Sequence, residues 1–533
     1  MRKILLVLLI VLFIPLVNAD DLFYSDTMEL NVEQSGEILT YDVRELTLYL
    51  YVYPKEEEYS VISYINTNPR SNLEDNAYVF SWSSVDGKVD YYINSRVKNT
   101  LKIKKIKDKI NFPMTVPEEY EKYTQSSELC DSDNIEIKKL ANSLASGEDD
   151  AYKVIFKMTN WVNSNLNYTT AEVGDTVKAS IVLKTREGAC DEFSNLLMAL
   201  LRSVNIPVRY ITGYSYGTFE ENKFGSHGWL EVWLPKYGWI PIDPTYGELG
   251  WLDTTHVKLL TTIDPMPSSV EYKWVGGNVG SGTLIEEIEV ISNTMNMPIF
   301  LEGELSVEDV SLTLGSYNII WLDIKNPNDY YVSTSAALRV APPLIDKNPK
   351  MVFLEPFGEE RVGWIVKYPA NLSEGYIYTY FNNATAYFLG EKATTSIVKG
   401  DVNSLTLREV EALMTSKDGV KKGSPDVSLK ILKPMQVKLG DTYTVSVSIE
   451  NKGSGPLESL TVCIKEDCRN NYVGISEIIE EDFNLVASEL GINKVIVTFK
   501  NVNLEPYILE INVIEKSIIE RIIDFFKNLF RLK

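Results

Sequence analysis

The sequence predicts a multidomain protein in which one α+β unit is flanked by units made of β-strands, and three observations carry that prediction. The chain has 533 residues, far more than one hydrophobic core serves, so about three to five units of roughly 100 to 150 residues are expected. Its composition, 44% hydrophobic and 24% charged, supplies several packed cores and is unlike that of a disordered chain. Apolar residues alternate in twos along most of the sequence, and helical spacing followed by strands is confined to about residues 130–268.

From the N-terminus, Met1-Arg2-Lys3, the apolar run Ile4 to Val17 and then Asn18-Ala19 have the positive start, short apolar centre and compact cleavage residues of a secretory signal peptide, placed at residues 1–19. The run is shorter than the roughly 20 residues a membrane-spanning helix needs, which leaves an uncleaved anchor as the alternative. An exported protein, extracellular or at the cell surface, is the expectation, and the sequons at Asn167, Asn371 and Asn383 accord with it.

Between Tyr41 and Tyr53, Leu46, Leu48, Leu50 and Val52 share one face and Thr47, Tyr49, Tyr51 and Tyr53 the other. That alternation predicts a strand, within an N-terminal β domain over residues 20–115. The prolines and acidic cluster of Asn111 to Tyr123 signal a linker, set at 116–129. An α+β domain follows at 130–270. Tyr152, Ile155, Phe156, Val162 and Leu166 keep helical spacing behind Asp149-Asp150, and a second helix runs from Cys190 through Phe193, Leu196, Leu197, Leu200, Leu201 and Val204. Short β patterns return as a β-sandwich over 275–420 and an Ig-like β domain over 425–515. Residues 516–533 form an amphipathic helix, with Ile518, Ile519, Ile522, Ile523, Phe526 and Phe530 opposite Lys516, Glu520, Arg521, Asp524, Lys527 and Arg531. Such a helix lies in a membrane interface as a peripheral contact, docks on a neighbouring domain or pairs with another copy.

A net charge of −22 without any basic stripe excludes nucleic acid as an expected partner. No His-Glu-x-x-His and no close Cys/His quartet occurs, so neither a metal nor another cofactor is expected. Four cysteines in a chain this long do not make a disulfide scaffold. Cys463 and Cys468 either close a small loop or stand as separate thiols, and Cys130 has no obvious partner.

The stretch that carries chemistry is Leu183 to Gly247. Cys190 opens a helix behind Gly188-Ala189, so its sulfur sits at the positive end of the helix dipole, where a thiolate is favoured. A buried apolar cysteine is the plainer reading, but Asp191 and Glu192 make the entry polar. Of the two histidines, His227 opens the strand HGWLEVWL, and Asp243 ends the next apolar segment, Trp239 to Ile242, after the turn Pro235-Lys236-Tyr237-Gly238. The segments should pair antiparallel; a five-residue loop between Trp233 and Trp239 puts His227 and Asp243 on one face, and a four-residue loop would put Asp243 on the other. Cysteine, imidazole and carboxylate then form a nucleophile, its base and the group that orients the base.

The Gly-x-Cys-x-Glu-Phe helix start, IPVRYITGY, the His-x-Trp-x-Glu strand and the Gly-Trp-x-x-x-Asp-Pro-Thr end resemble the transglutaminase-like core of microbial exported proteins over about 140 residues. Gly228 stands where that family often has alanine. The resemblance implies a papain-like α+β fold with Cys190, His227 and Asp243 as catalytic residues and acyl transfer through a thioester, acting on a peptide or protein substrate, including cell-envelope material. It also implies an oxyanion hole made by the Cys190 N–H, and Trp161 is a candidate indole donor to it, though a core aromatic is the plainer reading. His256 is expected at the solvated surface. Three functions remain: a thiol hydrolase, a cross-linking acyltransferase, or a non-enzymatic surface protein whose β modules do the binding.

Overall fold

The computed structural model describes residues 25–522 apart from 171–175, 218–222, 266–268, 281, 283, 309–314, 341–342, 369–382, 397–404, 416–421 and 503. The signal segment, the Asn371 sequon and residues 523–533 of the tail lie outside the described residues. Two compact units divide the chain, and each is discontinuous: Met1–Lys107, Tyr210–Glu231 and Ile240–Met414 form the first, and Asp108–Arg209, Val232–Trp239 and Thr415–Lys533 the second.

In the first unit β1 (Thr27–Leu50), β2 (Ser60–Asn68) and β3 (Ala77–Thr100) make one sheet with a short strand at Asn72–Glu74. β1 is its central strand. It pairs antiparallel with β3 on one edge and, on the other, with three strands from far along the chain. The second sheet has the order β7 (Glu248–Leu249), β6 (Gly238–Asp243), β5 (Lys223–Leu234), β4 (Val208–Gly217), β8 (Val257–Thr262). β9 (Val270–Val275), β10 (Asn278–Gly280) and β11 (Leu284–Thr294) then return to β1. From composition this segment is expected to fall partly in the α+β domain and partly in the following sandwich; its hydrogen bonds join it to the N-terminal sheet instead.

Leu46, Leu48, Leu50 and Val52 are all buried, on the face the alternation predicts. They share a core with Met28, Leu30, Phe80 and Tyr91 and with Tyr214, Val257 and Leu259 of the second sheet, each such side chain adding roughly 1.5–3 kcal/mol. Further along, Glu302–Val307, Tyr317–Lys325 and Glu359–Lys367 form a three-stranded sheet. Lys350–Leu354, Val332–Arg339, Asn383–Phe388 and Glu391–Ser396 form a four-stranded one, and the two close on a core that includes Ile320, Leu322, Val332, Trp364 and Phe388.

The second unit contains most of the described helices. α1 (Ile135–Ala145), α2 (Ala151–Asn165), α3 (Ala179–Thr185) and α4 (Cys190–Arg202) follow their apolar spacing. Asp150 caps α2 by accepting from the Tyr152 N–H at 3.0 Å. In α4 every residue from Phe193 to Arg202 is buried. The 232–239 hairpin tip belongs here, with Tyr120 stacked on Trp233 and edge-on to Trp239. The unit closes with three- and five-stranded sheets between Val427 and Ile514 around Val447, Leu460, Val462, Phe483 and Ile511. Cys463 and Cys468 face each other on adjacent strands and are disulfide-bonded. No helix among the described residues is long and apolar enough to cross a membrane.

Candidate active site

His227 and Asp243 come together because β5 and β6 are neighbours joined by a tight turn. The Tyr237 N–H donates to the Leu234 carbonyl at 3.2 Å, and Lys236 and Gly238 take the positive φ values that close it. On the shared face His227 Nε2 and Asp243 Oδ2 are 2.5 Å apart. The strand-parity expectation is thereby met. The other carboxylate oxygen, Oδ1, accepts from the N–H groups of Thr245 at 2.7 Å and Tyr246 at 3.1 Å, so the Asp-Pro-Thr-Tyr turn locks the carboxylate in place.

Asp243 is fully buried. Burial opposes its charge, but His227 and His256 outweigh that and hold its pKa well below the usual carboxylate range. His227 is 7% exposed and lies flat against Tyr246, with ring centroids 5.0 Å apart and planes 13° apart. The Tyr246 hydroxyl shares a hydrogen bond with Ser215 at 3.1 Å and donates to the Tyr216 carbonyl at 3.3 Å. The glutamate of the same strand, Glu231, has a structural role, since Lys258 bridges it to Glu57 at 2.8 and 2.5 Å.

His256 is where the structure overturns the sequence expectation. Instead of lying solvated it is fully buried, with Nε2 3.1 Å from Asp243 Oδ2 and Nδ1 3.3 Å from Asp253 Oδ1. Burial alone would strip its proton, yet Asp253, Asp243 and Glu248 outweigh it and push its pKa well above the ordinary value. Burial and the charge of Asp253 raise the Glu248 carboxyl. No periodicity could have placed His256, because the turn Glu248–Thr255 folds it inward through polar bonds. Donor atoms of His227, Asp243 and His256, and of Glu248, Asp253 and His256, come within 4.8 Å of one another. In both sets imidazole pairs with carboxylate, which accounts for the arrangement without a metal.

Cys190 stands in the second unit, at the first turn of α4, partly exposed and with a free thiol. Glu192 folds back so that its Oε2 accepts from the Ala189 N–H at 2.9 Å, half of a capping box. A side chain at position 188 would meet Glu192 Cβ at 2.4 Å, so glycine is required before the cap. Thr176 donates to Asp191 at 2.6 Å. Burial and then Asp191 raise the Glu192 carboxyl above its usual range. Trp161, on α2, is half-buried and its ring faces the Arg186 guanidinium at 4.3 Å. Cys130 is fully buried.

Residues 138–244 match the family model of the transglutaminase-like superfamily. The chain is similar to the YebA protein of Bacillus subtilis, 30% identical over 171 residues, 29% of this chain and 22% of that protein. A protein-glutamine gamma-glutamyltransferase of Pseudomonas aeruginosa is 35% identical over 69 residues, 12% of this chain and 10% of that one. The chain therefore spans about a fifth or less of the length of these relatives. Among solved structures, a candidate cysteine protease of Cytophaga hutchinsonii is 19% identical, covers 50% of this chain and 92% of its own, and has a TM-score of 0.39. The periplasmic domain of TgpA from Pseudomonas aeruginosa is 16% identical over 43% of this chain and 93% of its own, with a TM-score of 0.23. The family-model match falls on the segment that supplies Cys190, His227 and Asp243, and that segment of the chain is transglutaminase-like.

Proposed function

We propose that the protein is an exported, cysteine-dependent acyl-transfer enzyme that hydrolyses peptide or carboxamide bonds. The observation that carries this reading is the buried His227–Asp243 pair, 2.5 Å apart, inside a segment that matches a family of cysteine enzymes. Asp243 faces Nε2 of His227, and in this reading the thiol gives its proton to Nδ1. In the first half-reaction Cys190 Sγ passes its proton to His227 and attacks the carbonyl carbon. The tetrahedral adduct collapses to a thioester as the C–N bond breaks, and the departing amine takes the proton from His227. A water molecule, deprotonated by the same imidazole, then releases the acid and returns the thiol. The Cys190 N–H, with the Trp161 indole as a candidate second donor, faces the developing oxyanion.

Hydrolysis is the favoured outcome because a thioester on a partly exposed cysteine meets water. Cross-linking is the second reading, favoured by the relative named as a protein-glutamine gamma-glutamyltransferase. Export rests on residues 1–19, and the apolar side of residues 516–533 adds a peripheral membrane contact. The test is incubation of the purified protein with a peptide library and an amine donor, read by mass spectrometry. Cleaved or deamidated products support hydrolysis, amine adducts support cross-linking, and neither product with wild-type protein would leave the surface-binding function in place of the enzyme.

A further inference from the structure

The chain has two histidines, and the mechanism above uses one. His256 follows β7 on a turn built from its own acidic residues. Both Glu248 carboxylate oxygens lie 3.3 Å from the Asp253 N–H that donates to them, and Asp253 Oδ1 accepts from the Thr255 N–H at 2.7 Å and its hydroxyl at 2.5 Å. The backbone is anchored too, since the Asn99 amide of β3 donates to the carbonyls of Thr254 and His256, each at 2.9 Å. Around the ring stand Trp229 at 5.1 Å, His227 at 5.5 Å and Tyr246 at 5.6 Å, all edge-on.

Two imidazoles thus converge on one carboxylate oxygen: Oδ2 of Asp243 faces His227 Nε2 at 2.5 Å and His256 Nε2 at 3.1 Å. On its far side His256 Nδ1 faces Asp253 Oδ1 at 3.3 Å and Glu248 Oε2 at 4.0 Å. An apolar residue of the same volume would fill this space without the cost of burying a polar ring among carboxylates. The polar ring therefore does more than pack.

We infer that His256 is a positioning residue for acyl transfer: its Nε2–H fixes Asp243 Oδ2 at the point from which that carboxylate orients His227, and Asp253 and Glu248 fix His256 in turn. This rests on the Cys190–His227 reading. A carboxylate held on Oδ1 by two backbone N–H groups and on Oδ2 by a second imidazole cannot swing away from the base. The charged groups that face His256 from the elements around it are Asp243 on β6, Glu248 on β7, Asp253 on the turn and His227 on β5. Asp253 and then Asp243 push the pKa of His256 up despite its burial, which favours a proton on the Nε2 that faces Asp243.

The experiment measures the rate at which iodoacetamide labels Cys190 at pH 6 in the full-length protein. It compares wild type, His256→Leu, His256→Gln, Asp243→Asn and the His256→Leu, Asp243→Asn pair, each checked for a cooperative melt. His256→Leu is expected to slow labelling about tenfold. His256→Gln, which keeps an N–H toward Asp243, should recover most of the rate, and the pair should be no slower than Asp243→Asn alone. A wild-type rate in His256→Leu, or an effect that multiplies with Asp243→Asn, overturns the inference. Should the leucine variant fail to fold, Asp253→Asn takes its place, with slowed labelling sustaining the inference and an unchanged rate overturning it. Failure of the parent reading looks different: His227→Ala would then label as wild type does, before His256 is touched.

Discussion

At the scale of single residues, Asp243 is the point on which the site turns, because one oxygen is committed to backbone N–H groups and the other to two imidazoles. Asp243→Asn must keep its carbonyl oxygen toward Thr245 and Tyr246, which turns an N–H₂ toward ring nitrogens that were donors. Turnover on a cleaved peptide should fall by about 10²–10⁴-fold while some Cys190 labelling survives. Labelling should also be uneven in the wild type. An alkylating reagent should modify the partly exposed Cys190 well before Cys130, which is wholly buried. His256 makes a stability prediction. Its pKa is raised on folding, so the stabilisation it provides is complete below its unfolded value of about 6.5 and is lost as pH climbs through the folded one. The excess melting temperature of wild type over His256→Gln, followed by calorimetry from pH 5 to pH 10, should therefore be largest at the acid end and shrink toward the alkaline end. The pairing of His227 with Asp243 was legible from strand parity only on condition of a five-residue loop between Trp233 and Trp239. His256 was not, because hydrogen bonds within a polar turn, and no repeat of apolar residues, bring it inside.

Among the elements, α4 was legible from its spacing, since a helix that buries ten consecutive residues, Phe193 to Arg202, must carry apolar side chains at nearly every inward position. β1 was legible only in part. The strand begins at Thr27, but its inward face includes Gln34, fully buried, whose amide donates to the Tyr214 hydroxyl at 2.9 Å and the Val52 carbonyl at 3.2 Å. A polar residue on the apolar side interrupts the alternation that marks a strand in sequence. The glycine at position 228 has its physical reason in β4 and β5. A methyl group there would come within 1.9 Å of the Tyr210 hydroxyl oxygen and 2.7 Å of its ring. Gly228→Ala should cost about 1–3 kcal/mol of stability through overpacking and disturb the residue next to the base. Urea denaturation measures the first effect, and the Cys190 labelling rate the second.

In the whole molecule the boundaries read from composition are the least legible feature, because what assigns a strand to a sheet is a backbone ladder that leaves no mark in composition. Within the second unit the helices and the C-terminal sheets are joined by specific bonds. The Asn142 side chain, fully buried on α1, accepts from the Ile475 N–H and donates to the Lys138 carbonyl at 2.7 Å. Lys138 pairs with Glu477 at 2.6 Å, and the Gly147 N–H donates to the Ser454 carbonyl at 2.8 Å. Asn142→Ala would leave the Ile475 N–H buried and unpaired, an expected loss of about 1–3 kcal/mol readable in a denaturant titration. The central place of β1 bears on how the chain comes into being. Its first partner strand, β3, leaves the ribosome soon after it, but the strands that cover its other edge begin only at Val270 and end at Thr294. While more than two hundred further residues are made, a 24-residue strand would stand with one row of N–H and C=O groups open to any passing chain, a known route to aggregation. Chains cut before Val270 should collect in inclusion bodies although both β1 and β3 are present, and solubility should return once the chain extends past Thr294. The first sheet is thus sealed by sequence that arrives more than two hundred residues late, and until then the nascent protein depends on being kept unfolded.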